Sequence, residues 1–383
     1  MKEYHAGLEG VVAARTRLSS VNGEAGELII AGYPMGELAA HAEFEEVVYL
    51  LWNDRLPNST ELAKFKVELA KRRALPSITV DVLTEAARGQ TSDMDALRMA
   101  VSTLSLSVGE DRQEQALTLV ASIPTIVATY ARLVDGRAPV NPRVDLGHAA
   151  NFLYMLTGNV PDESRVRALN AYLVTVCDHG LNASTFAARV IIATESDMVS
   201  AVTGAVGALK GPLHGGAPGP ALDMVFDIIA SKAVGESVST AAERAIRGKL
   251  ASGERLMGFG HRIYKVRDPR ADVLATASGD LYHGDDTGFY DAAREVEVVA
   301  MRLLEEHKPG RRLQTNVEFY TALLLHGVGI SPSLFTPIFA MARSAGWTAH
   351  CLEQLANNRI YRPESEYLGE TGRVWTDAST RPI

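Results

Sequence analysis

Gly258-Phe259-Gly260-His261-Arg262-Ile263-Tyr264-Lys265-Val266-Arg267-Asp268-Pro269-Arg270 begins as a dinucleotide-binding turn would and then departs from it. Ile263 stands where the third glycine of G-x-G-x-x-G is required, so the backbone could not close on a pyrophosphate there. No alternation of strands and helices surrounds the segment, which removes the parallel sheet that such a turn serves. It is instead rich in cations: Arg262, Lys265, Arg267 and Arg270 fall within nine residues, with His261 directly after Gly258-Phe259-Gly260. Glycine tolerates positive φ and close approach of a ligand, so a histidine held there is presented to a site.

Working outward, a period of 3.6 dominates the chain. Phe44, Val47, Val48 and Leu51 follow the i, i+3, i+4, i+7 rule, with Pro57 as a stop. Ser59 and Thr60 are expected to cap the next helix, which shows Leu62, Phe65 and Leu69 on one face before Pro76. The rhythm recurs over Ala96–Leu106, Gln115–Leu133, Leu146–Leu156, Glu163–Cys177, Leu222–Lys232, Thr240–Leu250, Tyr290–Glu306 and Phe335–Gly346. The fold expected is mostly α. One small N-terminal β element is expected, a hairpin of Val11-Val12 and Leu28–Ile30 about the turn Val21–Gly26. A second Gly- and Pro-rich loop, Lys210–Pro220, contains Gly211-Pro212-Leu213-His214-Gly215-Gly216. Residues 217–327 are expected as a small domain inserted into a large helical one, 1–216 with 328–383. Both loops and Glu318 would then lie along an interdomain cleft.

With 383 residues, 46% hydrophobic and 22% charged, the chain has the composition of a globular protein with a sizeable core. A net charge of −8 argues against a nucleic-acid binder. Two cysteines, Cys177 and Cys351, support neither a disulfide framework nor a thiolate zinc site. The N-terminus lacks the apolar core of a signal peptide, and no apolar run approaches bilayer length; a cytoplasmic location and no membrane partner are expected.

Local sequence leaves each candidate open. His214 is a turn histidine closing a helix end, or a neutral imidazole that hydrogen-bonds a developing oxyanion. The basic loop after His261 is a solvated surface, or a site for carboxylates and phosphates, which arginine grips in a bidentate fork. Glu318, in Thr315-Asn316-Val317-Glu318-Phe319-Tyr320, is a helix-start residue facing the macrodipole, or a desolvated base. Asp178-His179-Gly180 is uninformative by itself, and Arg343 and Arg362 read locally as surface charges. No H-E-x-x-H, G-x-S-x-G or Walker A pattern is present, so zincin, serine-hydrolase and P-loop chemistry lack support.

Taken together these motifs resemble the citrate synthase family, in the shorter form found in bacteria and archaea. The likeness runs through Gly7–Val11, Ala149–Met155, Asp178–Phe186, both histidine loops, Thr315–Tyr320, Phe335–Arg343, Gly346–His350 and Tyr361–Pro363. It implies an almost all-α homodimer of two-domain subunits that close over oxaloacetate and acetyl-CoA, with no metal or cofactor. His214 would stabilise the enolate, and Glu318 would stand at the position of the family's aspartate base. His261 would polarise the oxaloacetate carbonyl. His179, Arg270 and Arg343 would hold its carboxylates, with Arg362 reaching in from the other subunit. Leu256, Gly258 and Gly260 would belong to the adenine loop, and Arg262, Lys265 and Lys308 would meet CoA.

Departures from the family pattern are Glu318 for aspartate, Cys177 where histidine is common, Pro218-Gly219 for Asn-Glu, and Gln314-Thr315 for Tyr-Pro. Three other readings stand beside citrate synthase. They are a 2-methylcitrate synthase using propionyl-CoA, a catalytically silent paralogue that binds oxaloacetate or CoA, and a metallohydrolase built on His179, His214 and His261.

Overall fold

The computed structural model describes residues 4–215, 218–261, 263–282 and 287–381. Arg262, expected among the CoA contacts, and the expected domain boundary at 216–217 lie outside them. The chain opens with a three-stranded antiparallel sheet, β1 (Ser19–Asn22), β2 (Glu27–Ile30) and β3 (Tyr33–Pro34), in which Ser19 pairs with Ile30 and Asn22 with Glu27. The hairpin therefore forms where expected at its turn and second strand, but not at its first. Val11 and Val12 lie outside the sheet and exposed. Ser19–Asn22 takes their place across the Gly23–Gly26 turn, in a register that leaves Leu28 and Ile30 on the core face.

Helices make up nearly all the rest. In chain order they are α1 (Met35–His41), α2 (Phe44–Asn53), α3 (Ser59–Lys71), α4 (Ser77–Arg88), α5 (Asp93–Thr103), α6 (Arg112–Val134), α7 (His148–Thr157), α8 (Glu163–Val176), α9 (Ala183–Ile192) and α10 (Met198–Leu209). Then come α11 (Pro218–Ala230), α12 (Val238–Ala251), α13 (Pro269–Leu281), α14 (Thr287–His307), α15 (Val317–Val328) and α16 (Phe335–Ala356). The α3 cap is Asn58 rather than Ser59 or Thr60: its side chain accepts the Glu61 N–H at 3.0 Å while Glu61 reaches back to the Asn58 N–H at 2.9 Å.

One helix departs from the sequence reading in kind. By length and composition α6 is apolar enough to cross a bilayer, with a mean hydropathy of 1.6 over its best window. That window is 78% buried within the fold, which is the behaviour of a core helix. Around α6 the buried hydrophobics form one continuous cluster, from Leu18 to Cys351, that also takes in α13 and α15. The helices carrying the candidate residues meet on α8: α13, α15 and α16 all pack against it.

Candidate active site

His214 is held by the start of α9. Asn182 caps that helix, accepting the Thr185 N–H at 3.1 Å and the Ser184 hydroxyl at 2.8 Å. This leaves the Ser184 N–H, one of the unpaired donors of a first helical turn, to point at His214 Nε2 from 3.4 Å, with Ser184 Oγ 2.8 Å from the same nitrogen. Trp347 on α16 donates its indole N–H to Ser184 Oγ at 3.1 Å. The turn itself closes on Gly211 O, which accepts from His214 N at 2.9 Å and Gly215 N at 3.2 Å. A side chain at Gly215 would put Cβ 2.4 Å from Leu209 O, so only glycine fits. Burial, helped by the Arg343 charge, pulls the imidazole pKa down to about 4, leaving it neutral at pH 7.

His261 and Glu318 belong to one piece of structure. Phe259 and Thr315 form a β-bridge, Gly260 N–H donates to Gln314 O at 2.7 Å, and Asn316 N–H donates to Gly258 O at 3.0 Å. Asn316 then caps α15 by accepting the Glu318 N–H at 2.9 Å, while its amide donates to Gly260 O at 2.8 Å. Gly258 has φ 88°, and a Cβ there would come within 3.1 Å of Phe319, so backbone and ring exclude any other residue. On the imidazole, Nδ1 accepts the N–H groups of Ile263 and Tyr264, each at 3.1 Å. The proton of the neutral ring is therefore on Nε2. Burial and the neighbouring Arg270 bring this pKa also down to about 4.

Arg270 stands in the first turn of α13, whose cap is Asp268. Both oxygens of Asp268 grip the guanidinium, at 3.0 Å to Nε and 2.7 Å to Nη2, and Asp268 also accepts the Val317 N–H at 3.3 Å. Nη2 lies 3.4 Å from His261 Nε2. Both atoms carry hydrogens, so they are two donors facing one space rather than a bonded pair. His179 is buried beside them, its Nε2 3.1 Å from the Tyr264 hydroxyl and its ring 5.8 Å from that of His261. Burial, with Arg270 and Arg343 adding to it, holds His179 well below the usual histidine range.

Arg343, on α16, is 1% exposed; its Nε donates to Val176 O at 2.8 Å and its guanidinium lies 4.5 Å from the centre of the Phe339 ring. Among the described residues no carboxylate forms an ion pair with it, and burial pulls its pKa down to about 10. A buried guanidinium so poorly compensated is costly to the fold unless an anion pairs with it. Glu318 faces it. Its carboxyl accepts no hydrogen bond among the described residues, and burial pushes its pKa up to about 7, against the opposing pull of Arg270 and Arg343.

The structure thus brings His179, His261, Arg270, Arg343, Glu318 and His214 into one electrostatic cluster, with Arg343 acting on His179, His214 and Glu318 alike. It does not bring Arg362, which is exposed on the C-terminal arm. Leu256 is buried beneath the Gly258–Gly260 turn, while Lys265 and Lys308 are exposed. Among the described residues no three His, Cys, Asp or Glu side chains converge as a metal-ligand set, so the metallohydrolase reading loses its geometry.

Against known proteins, a model described as "Citrate synthase, C-terminal domain" matches residues 7–364. The chain belongs to the citrate synthase family. It is an acyltransferase of that family, mostly α, for which the CoA thioester is a substrate and no resident cofactor is needed. It is 42% identical to citrate synthase 2 of Bacillus subtilis strain 168, over 95% of each chain. It is 37% identical to 2-methylcitrate synthase of Mycobacterium tuberculosis strain Erdman, over 96% of this chain and 91% of that one. A solved structure of citrate synthase from Thermoplasma acidophilum, in ternary complex with oxaloacetate and carboxymethyl coenzyme A, superposes with a TM-score of 0.87 at 26% identity over the whole of both chains.

Proposed function

We propose that this chain condenses acetyl-CoA with oxaloacetate and hydrolyses the citryl thioester to citrate and CoA, working as a cytoplasmic homodimer. Glu318 takes a proton from the thioester methyl. That proton has a pKa of roughly 20, so a carboxylate can remove it only if the oxyanion is stabilised as it forms. His214 does this. The tautomer that serves this role accepts the Ser184 backbone N–H at Nε2 and carries its ring proton on Nδ1, facing the enolate oxygen.

Across the cleft, His261 Nε2–H and the Arg270 guanidinium converge on the oxaloacetate ketone and its neighbouring carboxylate. The ketone oxygen becomes an alkoxide when the new carbon–carbon bond forms, and His261 supplies its proton. Arg270, Arg343 and His179 hold the carboxylates, and Arg362 reaches the site of the partner subunit. Leu256, Gly258 and Gly260 offer backbone to the adenine, with Arg262, Lys265 and Lys308 toward the phosphates. Residues 217–327 move as the small domain that closes the cleft.

The observation that carries this reading is the pair of anchored imidazoles in one electrostatic cluster with Glu318, Arg270 and Arg343. His261 is held through Nδ1, which leaves its Nε2–H for substrate, and His214 is anchored at Nε2 by Ser184, which leaves Nδ1 unengaged among the described residues. The test is release of CoA thiol from acetyl-CoA with and without oxaloacetate. Release that requires oxaloacetate supports the reading, and none at all would leave only a silent paralogue. The 37% identical 2-methylcitrate synthase makes propionyl-CoA the rival thioester. One methylene in an apolar pocket discriminates by only ~1–3 kcal/mol. A higher kcat/KM for propionyl-CoA than for acetyl-CoA at matched oxaloacetate would overturn the choice.

A further inference from the structure

Tyr172 lies on α8, two turns before the Asp178-His179 corner, and is 0% exposed. Its hydroxyl has no hydrogen-bond partner among the described residues. A buried hydroxyl left unpaired is destabilising, and such groups are few in folded proteins. The charges acting on the phenol are Glu318, Arg343 and Arg270, from the three helices α15, α16 and α13 that pack on α8. Glu318, half-buried at the start of α15, is a carboxylate that accepts no hydrogen bond among the described residues. The phenol and the carboxylate lie within electrostatic reach of each other where α15 packs on α8. The glutamate is also one methylene longer than the acid usual at its position, so it has more orientations to lose before it can reach a methyl group.

We propose that Tyr172 is a positioning residue for Glu318, its O–H donating to a carboxylate oxygen of that residue in the closed, occupied site and aiming the longer acid at the thioester methyl. This rests on Glu318 being the base. A hydrogen bond to the ionised form favours that form, so its loss makes Glu318 harder to ionise. The other charged groups facing Glu318 are Arg270 and Asp268 at the start of α13 and Arg343 on α16, and all three remain in place when the hydroxyl alone is removed.

Tyr172→Phe keeps the ring and deletes the donor. The expected result is a kcat lower by roughly ten- to a hundredfold, the loss of one hydrogen bond to a charged group. The acidic limb of the kcat–pH profile should move up by about 0.5–1 unit. KM for oxaloacetate should stay within about twofold, because the anion's own ligands are untouched, and Tm should be equal or higher. In a Glu318→Asp background the same change should alter kcat by less than about twofold, since the shorter acid does not reach the phenol. Unchanged kcat and pH limb with a raised Tm would make the hydroxyl a tolerated defect and overturn the proposal. A raised KM for oxaloacetate with an unmoved limb would assign the phenol to the substrate instead, and overturn it equally. Glu318→Gln separates the two levels. Turnover retained there removes the base itself, whereas turnover lost there with Tyr172→Phe unaffected removes only the role given to Tyr172.

Discussion

A neutral imidazole steadies an enolate only if its N–H, rather than its lone pair, faces the oxygen, so the role proposed for His214 depends partly on Ser184. His214→Ala should lower kcat by roughly a hundredfold or more, the usual effect of deleting an oxyanion donor. Ser184→Ala should cost less, about tenfold, because its backbone N–H still holds Nε2; steady-state kinetics on both variants checks the ranking. Glu318 gives a stability prediction with a definite sign. Its pKa in the fold, about 7, lies above its ordinary value of 4.5. The folded chain then binds that proton more tightly than the unfolded one, and stability falls as pH rises from 4.5 through 7. Glu318→Gln should therefore melt higher than the parent at pH 8 and at about the same temperature at pH 4. The histidines and the acid were legible in the sequence because glycines and apolar neighbours mark them. Ser184, Trp347 and Asp268 were not, because their contribution is which atom of another residue they touch, a contact made across 30 or more positions for the serine and the tryptophan.

At the scale of elements, the hairpin is part of the site. Its turn lies against the basic loop: Lys265 N–H donates to Gly23 O at 2.9 Å, and a Cβ on Gly23 would stand 2.2 Å from Ile263 O. Gly23→Ala should push that loop, and His261 with it, off its present place. Displacements of about 1 Å at a catalytic group can cost on the order of a hundredfold. The expected outcome is a fall in kcat/KM for oxaloacetate with the helical circular dichroism retained. Long amphipathic helices such as α2, α8 and α14 were readable from their period. The helices that position the site were harder to see. Every residue of α10 but Gly204, Gly207 and Thr203 is an apolar or small side chain or lies near a terminus, and α15 is apolar on nearly every side, so neither has a polar stripe to set the phase. The first strand was misplaced because Val11-Val12 has the stronger β propensity, whereas register on the core face selects Ser19–Asn22.

For the whole molecule, the continuous core ties α13 and α15 to α8, so the helices that carry Arg270 and Glu318 are joined to the rest by packing as well as by loops. The mostly helical architecture follows from composition and period, while the meeting of His214, His261 and Glu318 is a property of how distant helices pack. The most direct test of their joint action is exchange of the acetyl-CoA methyl hydrogens with heavy water, in the presence of a dicarboxylate that resembles oxaloacetate but lacks its ketone. The parent protein should exchange them, and Glu318→Gln should do so at least roughly a hundredfold more slowly, with dicarboxylate binding unchanged. Equal exchange by the two proteins would contradict the account.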